Sequence, residues 1–312
     1  MICAVSLNPA LDKYLRLARI ERGGHLEARE VVASAGGKAV NVAGVLRALE
    51  ENVELVGFFG GVIGDFLLEA IAAEGIRADA VRIAAPTRTA FVMVEDDGTE
   101  TEVVEPGGAV SEGEIAQLRA KVRAAASRAA VVVLSGSVPP GCPDDIYVRL
   151  LADCGGRPAI VDTSRAPLRA LLGARVQPPP AMIKPNRREA EAALGRPLAA
   201  PEAMAEALRA LAAAGVAMPV ISDGPAGIYA LAQGEVWHAQ PPRLQAVNSV
   251  GSGDAAVAGL AAGLARGWTV EATLRLAAAC GAANVLTKEC AGVRAEDLRR
   301  LAPQVVVRRL PA

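Results

Sequence analysis

Aromatic residues are scarce: four Phe, two Trp and three Tyr make up 3% of 312 residues. Any core must therefore be filled by alanine, valine and leucine. Apolar residues still reach 52%, enough for a sizeable core and too many for a disordered chain. Only two histidines occur, His25 and His238, and neither sits beside a glycine motif, which argues against histidine acid–base chemistry. Cys3, Cys142, Cys154, Cys280 and Cys290 form no C-x-x-C pair. Their odd count and irregular spacing argue against a disulfide framework or a cysteine metal site, and favour reduced thiols in a cytoplasmic protein.

There is no apolar run of about 18 residues free of charge or punctuation, so no membrane span is predicted. No signal-peptide pattern opens the chain. The 33 basic and 34 acidic residues nearly cancel, which argues against a nucleic-acid or anionic-membrane partner. No glycine–lysine pair is followed by serine or threonine, so a Walker phosphate loop is excluded.

What is present is an alternation of short apolar runs and helical patterns. Ile2–Ser6, Val53–Phe59, Val131–Leu134, Ala159–Val161, Met182–Ile183 and Val220–Ile221 read as buried strands. Asn41–Leu49, Ser111–Ser127, Asp144–Leu151 and Pro201–Ala213 read as helices, and Ser252–Ala265 and Val270–Leu286 as two successive helices. Such alternation predicts βαβ units around a parallel sheet covered on both faces. Residues around 10–35 and 87–105 look extended instead. Thr89–Val94 followed by Asp96-Asp97-Gly98 reads as a strand entering a hairpin. These two pieces could pair into a small sheet that closes over a ligand, or be ordinary edge strands.

The most informative stretch is Asn248-Ser249-Val250-Gly251-Ser252-Gly253-Asp254, followed by Val257, Leu260, Ala261 and Leu264 at helical spacing. A glycine turn feeding a helix N-terminus exposes unpaired N–H groups to an anion. An aspartate in that mouth is out of place if the site only holds phosphate. It fits a site where a hydroxyl proton is removed while charge grows on a transferring phosphoryl group. Gly251–Ala256 also matches a loose G-x-G-x-x-A dinucleotide pattern. A second helix follows where a strand ending in an acid is required, so that match fails.

Other candidates each admit a plain structural reading. Gly36-Gly37-Lys38 with Asn41 is a glycine turn opening a helix, either an anion trap with a hydroxyl-reading amide or a simple strand-to-helix turn. Ser137 follows a buried strand, where ligands of open α/β sheets lie, within what could be merely a rigid loop. Lys184-Pro185-Asn186 with Glu189 is a capping-box-like helix start, a pair organising metal-bound phosphates, or both. Ser222, Gly224 and Gly227 could admit a nucleotide or form a turn. Asp12 could accept from sugar hydroxyls and Arg88 could grip a phosphate.

In this order, over nearly the whole chain, these pieces resemble the PfkB sugar kinases of the ribokinase-like group. The resemblance is closest to the phosphosugar branch that includes 1-phosphofructokinase and tagatose-6-phosphate kinase. It implies a three-layer α/β/α fold with a mostly parallel central sheet, built as one domain over 1–312. A small β lid from 10–35 and 87–105 would mediate dimers. It implies Asp254 as catalytic base, with Gly251, Ser252 and Gly253 in the anion hole. Asp12, Gly36, Gly37, Lys38 and Asn41 would hold the sugar, with Arg88 and Ser137 near its existing phosphate. Lys184, Asn186, Glu189, Ser222, Gly224, Gly227 and Asn284 would serve ATP. Magnesium would be held by ATP phosphates and water, Glu189 reaching it through water, with no protein cage. Fructose 1-phosphate is the expected acceptor. Tagatose 6-phosphate and fructose 6-phosphate are alternatives, and a catalytically silent sugar- or nucleotide-binding protein is the alternative of another class. The chain departs from the family pattern at Ala39, where glycine is usual, and at Gly44, where arginine is common and could bear on sugar choice. Ser252 stands for alanine and Asn248-Ser249 for Asp-Thr.

Overall fold

The computed structural model describes residues 1–310. In chain order the first elements are β1 (Ile2–Ser6), β2 (Ala10–Leu17), β3 (Glu30–Gly36), α1 (Lys38–Ala48), β4 (Val53–Phe59), α2 (Gly61–Ala73), β5 (Arg77–Arg82), β6 (Arg88–Glu95) and β7 (Glu100–Val104). The middle of the chain adds α3 (Glu112–Ala126), β8 (Val131–Ser135), α4 (Ile146–Asp153), β9 (Ala159–Asp162), α5 (Arg165–Ala174), β10 (Met182–Ile183), α6 (Arg187–Leu194), α7 (Pro201–Ala213) and β11 (Met218–Ser222). The last third holds β12 (Ile228–Ala232), β13 (Glu235–Gln240), α8 (Ser252–Ala265), α9 (Val270–Asn284), α10 (Ala295–Leu301) and β14 (Val306–Arg309).

Ten strands form one sheet in the order β14-β13-β12-β11-β10-β9-β8-β1-β4-β5. From β11 to β5 every pairing is parallel; β12, β13 and β14 are added antiparallel at one edge. The runs expected as buried strands all lie here, because a parallel strand covered on both faces needs no polar side. Side chains alternate across it: Ile2 and Ala4 enter the layer with α1, α8 and α9, while Cys3 and Val5 enter the layer with α3, α4 and α7.

Alanine and glycine do the work that aromatics do elsewhere. A Cβ on Gly259 would lie 2.6 Å from Ala277 Cα, so α8 and α9 pack almost backbone to backbone. That contact holds α8, and with it the residue at its mouth, rigidly against the sheet.

The segments expected as extended form a separate four-stranded sheet, β3-β2-β6-β7. Ala10, Asp12, Tyr14, Ala90, Val92 and Val94 point to its buried face. Tyr14, Val92 and Val94 cluster there with Val250 and Cys290, which joins this sheet to the loops beside α8. No helix of the described residues is long and apolar enough to cross a membrane.

Candidate active site

The site lies beyond the carboxyl ends of β1, β8, β9 and β10, where an open parallel sheet leaves room for ligands. Asp254 sits in the first turn of α8 and is buried. Its Oδ2 accepts a 2.8 Å hydrogen bond from Asn41 Nδ2 on α1. Burial pushes its carboxyl up to about 7, and the charge of Asp162 adds to this, while Lys38, Asn41 and Lys184 act in the lowering direction. A carboxylate poised near neutrality suits proton abstraction.

Gly251 caps the helix with φ 87, and a Cβ there would come 2.3 Å from Ala291 N, so only glycine fits the turn. Ser252 Oγ donates to Ser249 O at 2.8 Å and accepts from Asn284 Nδ2 at 2.8 Å. Asn284 also donates to Val250 O at 3.0 Å, bracing the turn from beneath. Lys184 Nζ lies 3.4 Å from where a Cβ of Gly253 would sit, which puts its ammonium at the helix mouth.

Asp12 fills the space over Gly36, where a Cβ would come 2.0 Å from Asp12 Oδ2. Burial lifts the Asp12 carboxyl to about 6, against the Gly37 backbone N–H and Arg88, which lower it; Glu102 adds to the rise. Gly37, at φ 88, makes the turn into α1 over Pro9, whose Cα would be 2.9 Å from a Cβ. Lys38 then places Nζ 3.4 Å from Asp162 Oδ2 and 3.9 Å from Glu189 Oε1. Burial opposes its charge, but Asp162, Asp254 and Glu189 outweigh that and hold it above the usual lysine range.

Asp162 is a site residue that the sequence reading missed. It is 1% exposed at the end of β9, between Lys38 and Lys184, the latter 3.7 Å from Oδ1. Asn8 was also missed as an individual. Its Nδ2 donates to Ser137 Oγ and to Pro106 O, each at 3.1 Å, and so positions the Ser137 loop. Arg88 donates from Nη1 to Glu105 O at 3.0 Å, while its buried Nε has no partner among the described residues.

On the other side, Asn186 and Glu189 form a reciprocal capping box on α6: Glu189 N donates to Asn186 Oδ1 at 2.9 Å, and Asn186 N to Glu189 Oε2 at 2.8 Å. Capping uses one carboxylate oxygen and leaves Oε1 facing Lys38. Ser222 bridges to Asn186 at the end of β11, and Gly224 has open space around it. Gly227 is glycine for packing reasons, since a Cβ would lie 2.2 Å from Ala239 O on β13. At position 44 a Cβ would lie 3.5 Å from Glu74 Oε2, at the end of α2.

Two glycine turns, one acid between them and a buried lysine–aspartate array agree with the sequence pattern described as pfkB family carbohydrate kinase, which matches residues 6–296. The chain belongs to the pfkB family of carbohydrate kinases. Enzymes of this family transfer phosphate to a sugar hydroxyl, with ATP as the donor. Over 313 residues it is 37% identical to a 1-phosphofructokinase of Xanthomonas campestris pv. campestris, with 98% of each chain covered. The phosphofructokinase-2 of Escherichia coli, solved with substrates and products, superposes with a TM-score of 0.90 at 27% identity, covering 97% of this chain and 98% of that one. A structure from Thermotoga maritima shares the fold, with a TM-score of 0.89 at 24% identity over 100% of both chains. The α/β fold with its second small sheet is that of these pfkB relatives.

Proposed function

We propose that this pfkB kinase phosphorylates fructose 1-phosphate to fructose 1,6-bisphosphate with ATP. The observation that carries the chemistry is the Asp254 carboxylate at the mouth of α8, hydrogen-bonded to Asn41 and titrating near neutrality. The likeness to a 1-phosphofructokinase over 98% of the chain supports the choice of sugar.

Asp254 removes the proton from the acceptor hydroxyl as that oxygen attacks the γ-phosphorus and the bond to the β–γ bridging oxygen breaks. The N–H groups of Gly251 and Gly253 and the start of α8 stabilise charge on the phosphoryl oxygens, while the Ser252 N–H, donating to Ser249 O at 3.3 Å, holds the turn. Asp12, Gly36, Gly37 and Asn41 hold the sugar hydroxyls, and Arg88 and Ser137 its phosphate. Lys38 and Lys184 bring positive charge to the transferring group. Asn186, Glu189, Ser222, Gly224 and Gly227 border the nucleotide, and Asn284 keeps the anion-binding turn in shape.

Magnesium fits this donor set as a partner of ATP. Glu189 Oε1 is left over by the capping box, and buried Asp162 Oδ1 has no hydrogen-bond partner among the described residues. No group of three or more His, Cys, Asp or Glu residues able to hold a metal occurs among the described residues, so phosphate oxygens and water would supply most ligands. When bound, magnesium would neutralise phosphate charge, and Glu189 would be the protein side chain available to hold it.

The small sheet acts as a lid, and its outer face, carrying Val31, Phe91, Met93 and Val103, pairs two copies into a dimer. All five cysteines are free, which suits a cytoplasmic enzyme. An ADP-release screen over fructose 1-phosphate, fructose 6-phosphate, tagatose 6-phosphate, fructose and ribose tests the assignment. Highest kcat/KM with fructose 1-phosphate supports it. Preference for another sugar overturns the substrate, and ATP-dependent thermal shifts without ADP release overturn the enzyme.

A further inference from the structure

The small sheet is fastened at both of its edge strands, by β7 to the anion-binding turn itself and by β3 to Lys288 in the loop after α9. On β7, Glu100 takes Ser249 in a fork: Ser249 N donates to Oε1 at 3.0 Å and Ser249 Oγ to Oε2 at 2.7 Å. On β3, Glu30 takes Lys288, whose Nζ donates to Oε1 at 2.7 Å and Oε2 at 2.8 Å. The two fastenings are wired to each other. Asn248, fully buried, donates from Nδ2 to Lys288 O at 2.8 Å, and its Oδ1 accepts from Val250 N at 3.0 Å.

Across the sheet the circuit closes. Glu30 pairs with Arg16, Arg16 with Val94, and Val94 with Glu100, so both carboxylates lie on one cross-strand row. The ring runs Glu100, Ser249, Asn248, Lys288, Glu30 and back through the row. Its output is the turn itself. Ser249 O accepts from Ser252 N at 3.3 Å and from Ser252 Oγ at 2.8 Å, which orients the N–H groups at the mouth of α8. One exposed ion pair contributes little. Two charge-assisted contacts on opposite edges of a rigid sheet, joined through a buried amide, fix a position that neither would fix alone.

We propose that Glu100 and Glu30 are positioning residues that set the anion-binding turn only when the small sheet is down on its two latches. Substrate enclosure and assembly of the phosphoryl site are then one event. The link to catalysis rests on the phosphotransfer reading above; the latch itself does not.

Amide hydrogen exchange on the full-length protein without ligand, read at 248–256, reports the latch independently of any substrate. Glu100→Ala and Glu30→Ala speed exchange there by about tenfold or more, with 187–194 unchanged. In turnover, both lower kcat by about tenfold with a smaller change in the KM for ATP. Ser249→Ala follows Glu100→Ala, while Ser249→Thr and Lys288→Arg, which keep the donors, stay near wild type. Exchange within about twofold of wild type overturns the latch, and faster exchange with unchanged kcat overturns its role in positioning. If the wild type turns over no sugar, the phosphotransfer reading has failed, and the exchange arm still decides the latch.

Discussion

Asn41 on the first helix and Asp254 at the start of the eighth, 213 residues apart in sequence, share a 2.8 Å hydrogen bond. The bond joins the two glycine turns into one site. It also leaves Asp254 with only one oxygen engaged, so that in the proposed reaction the other can face an acceptor hydroxyl.

The first prediction concerns pH. A base must be ionised to work, and burial sets the Asp254 carboxyl at about 7. The rate should therefore rise with pH through about 7 and then level off. Lys38 is the strongest influence lowering that value. Lys38→Met should move the acid limb of the kcat profile to higher pH as well as reduce the rate. A pH–rate series on both proteins checks this, and an unmoved limb would contradict it.

Position 44 gives a second. Gly44 lies inside α1, where glycine costs about 0.5–1 kcal/mol relative to alanine. Burial raises the carboxyl of Glu74, 3.5 Å from where a Cβ would be. Gly44→Arg should raise the unfolding midpoint by a few degrees and leave the ranking of sugars unchanged. Thermal melts and the substrate screen check both halves.

The third concerns assembly. Val31 and Val103 are 57% and 51% exposed on opposite edges of the small sheet, on a face that also carries Leu15, Phe91 and Met93. Val103→Glu should convert the proposed dimer into a monomer in sedimentation. A monomeric wild type would contradict the dimer.

How legible this molecule is in sequence depends on what each segment buries. Strands such as Val131–Leu134, buried on both sides, are continuous apolar runs and declare themselves. The edge strand Arg77–Arg82, with one buried residue, reads as polar chain, and Glu235–Gln240 and Val306–Arg309 become strands only through antiparallel neighbours. Helix α2 opens on Gly61 at φ 63, a start that hides the apolar run behind it. In the site, the glycine turns are legible because backbone geometry demands glycine locally. Asp162 is a lone carboxylate that ends a four-residue strand, and its meaning comes from Lys38, 124 residues away. The one signal that could have found it is an acid at the carboxyl end of a buried parallel strand.

The measurement closest to the central claim is turnover of Asp254→Asn, with ATP binding and stability measured on the same protein. Asparagine keeps the shape and the bond from Asn41 but takes no proton, so kcat should fall by about 10²-fold or more while ATP binding stays nearly intact. The folded carboxyl titrates near 7, above its ordinary 3.8, so burying the charge weakens the fold above about pH 7 and not below about pH 4. The variant should therefore melt higher than wild type at about pH 8 and equally at about pH 4. An Asp254→Asn enzyme with near-normal turnover would remove this carboxylate from the role of base.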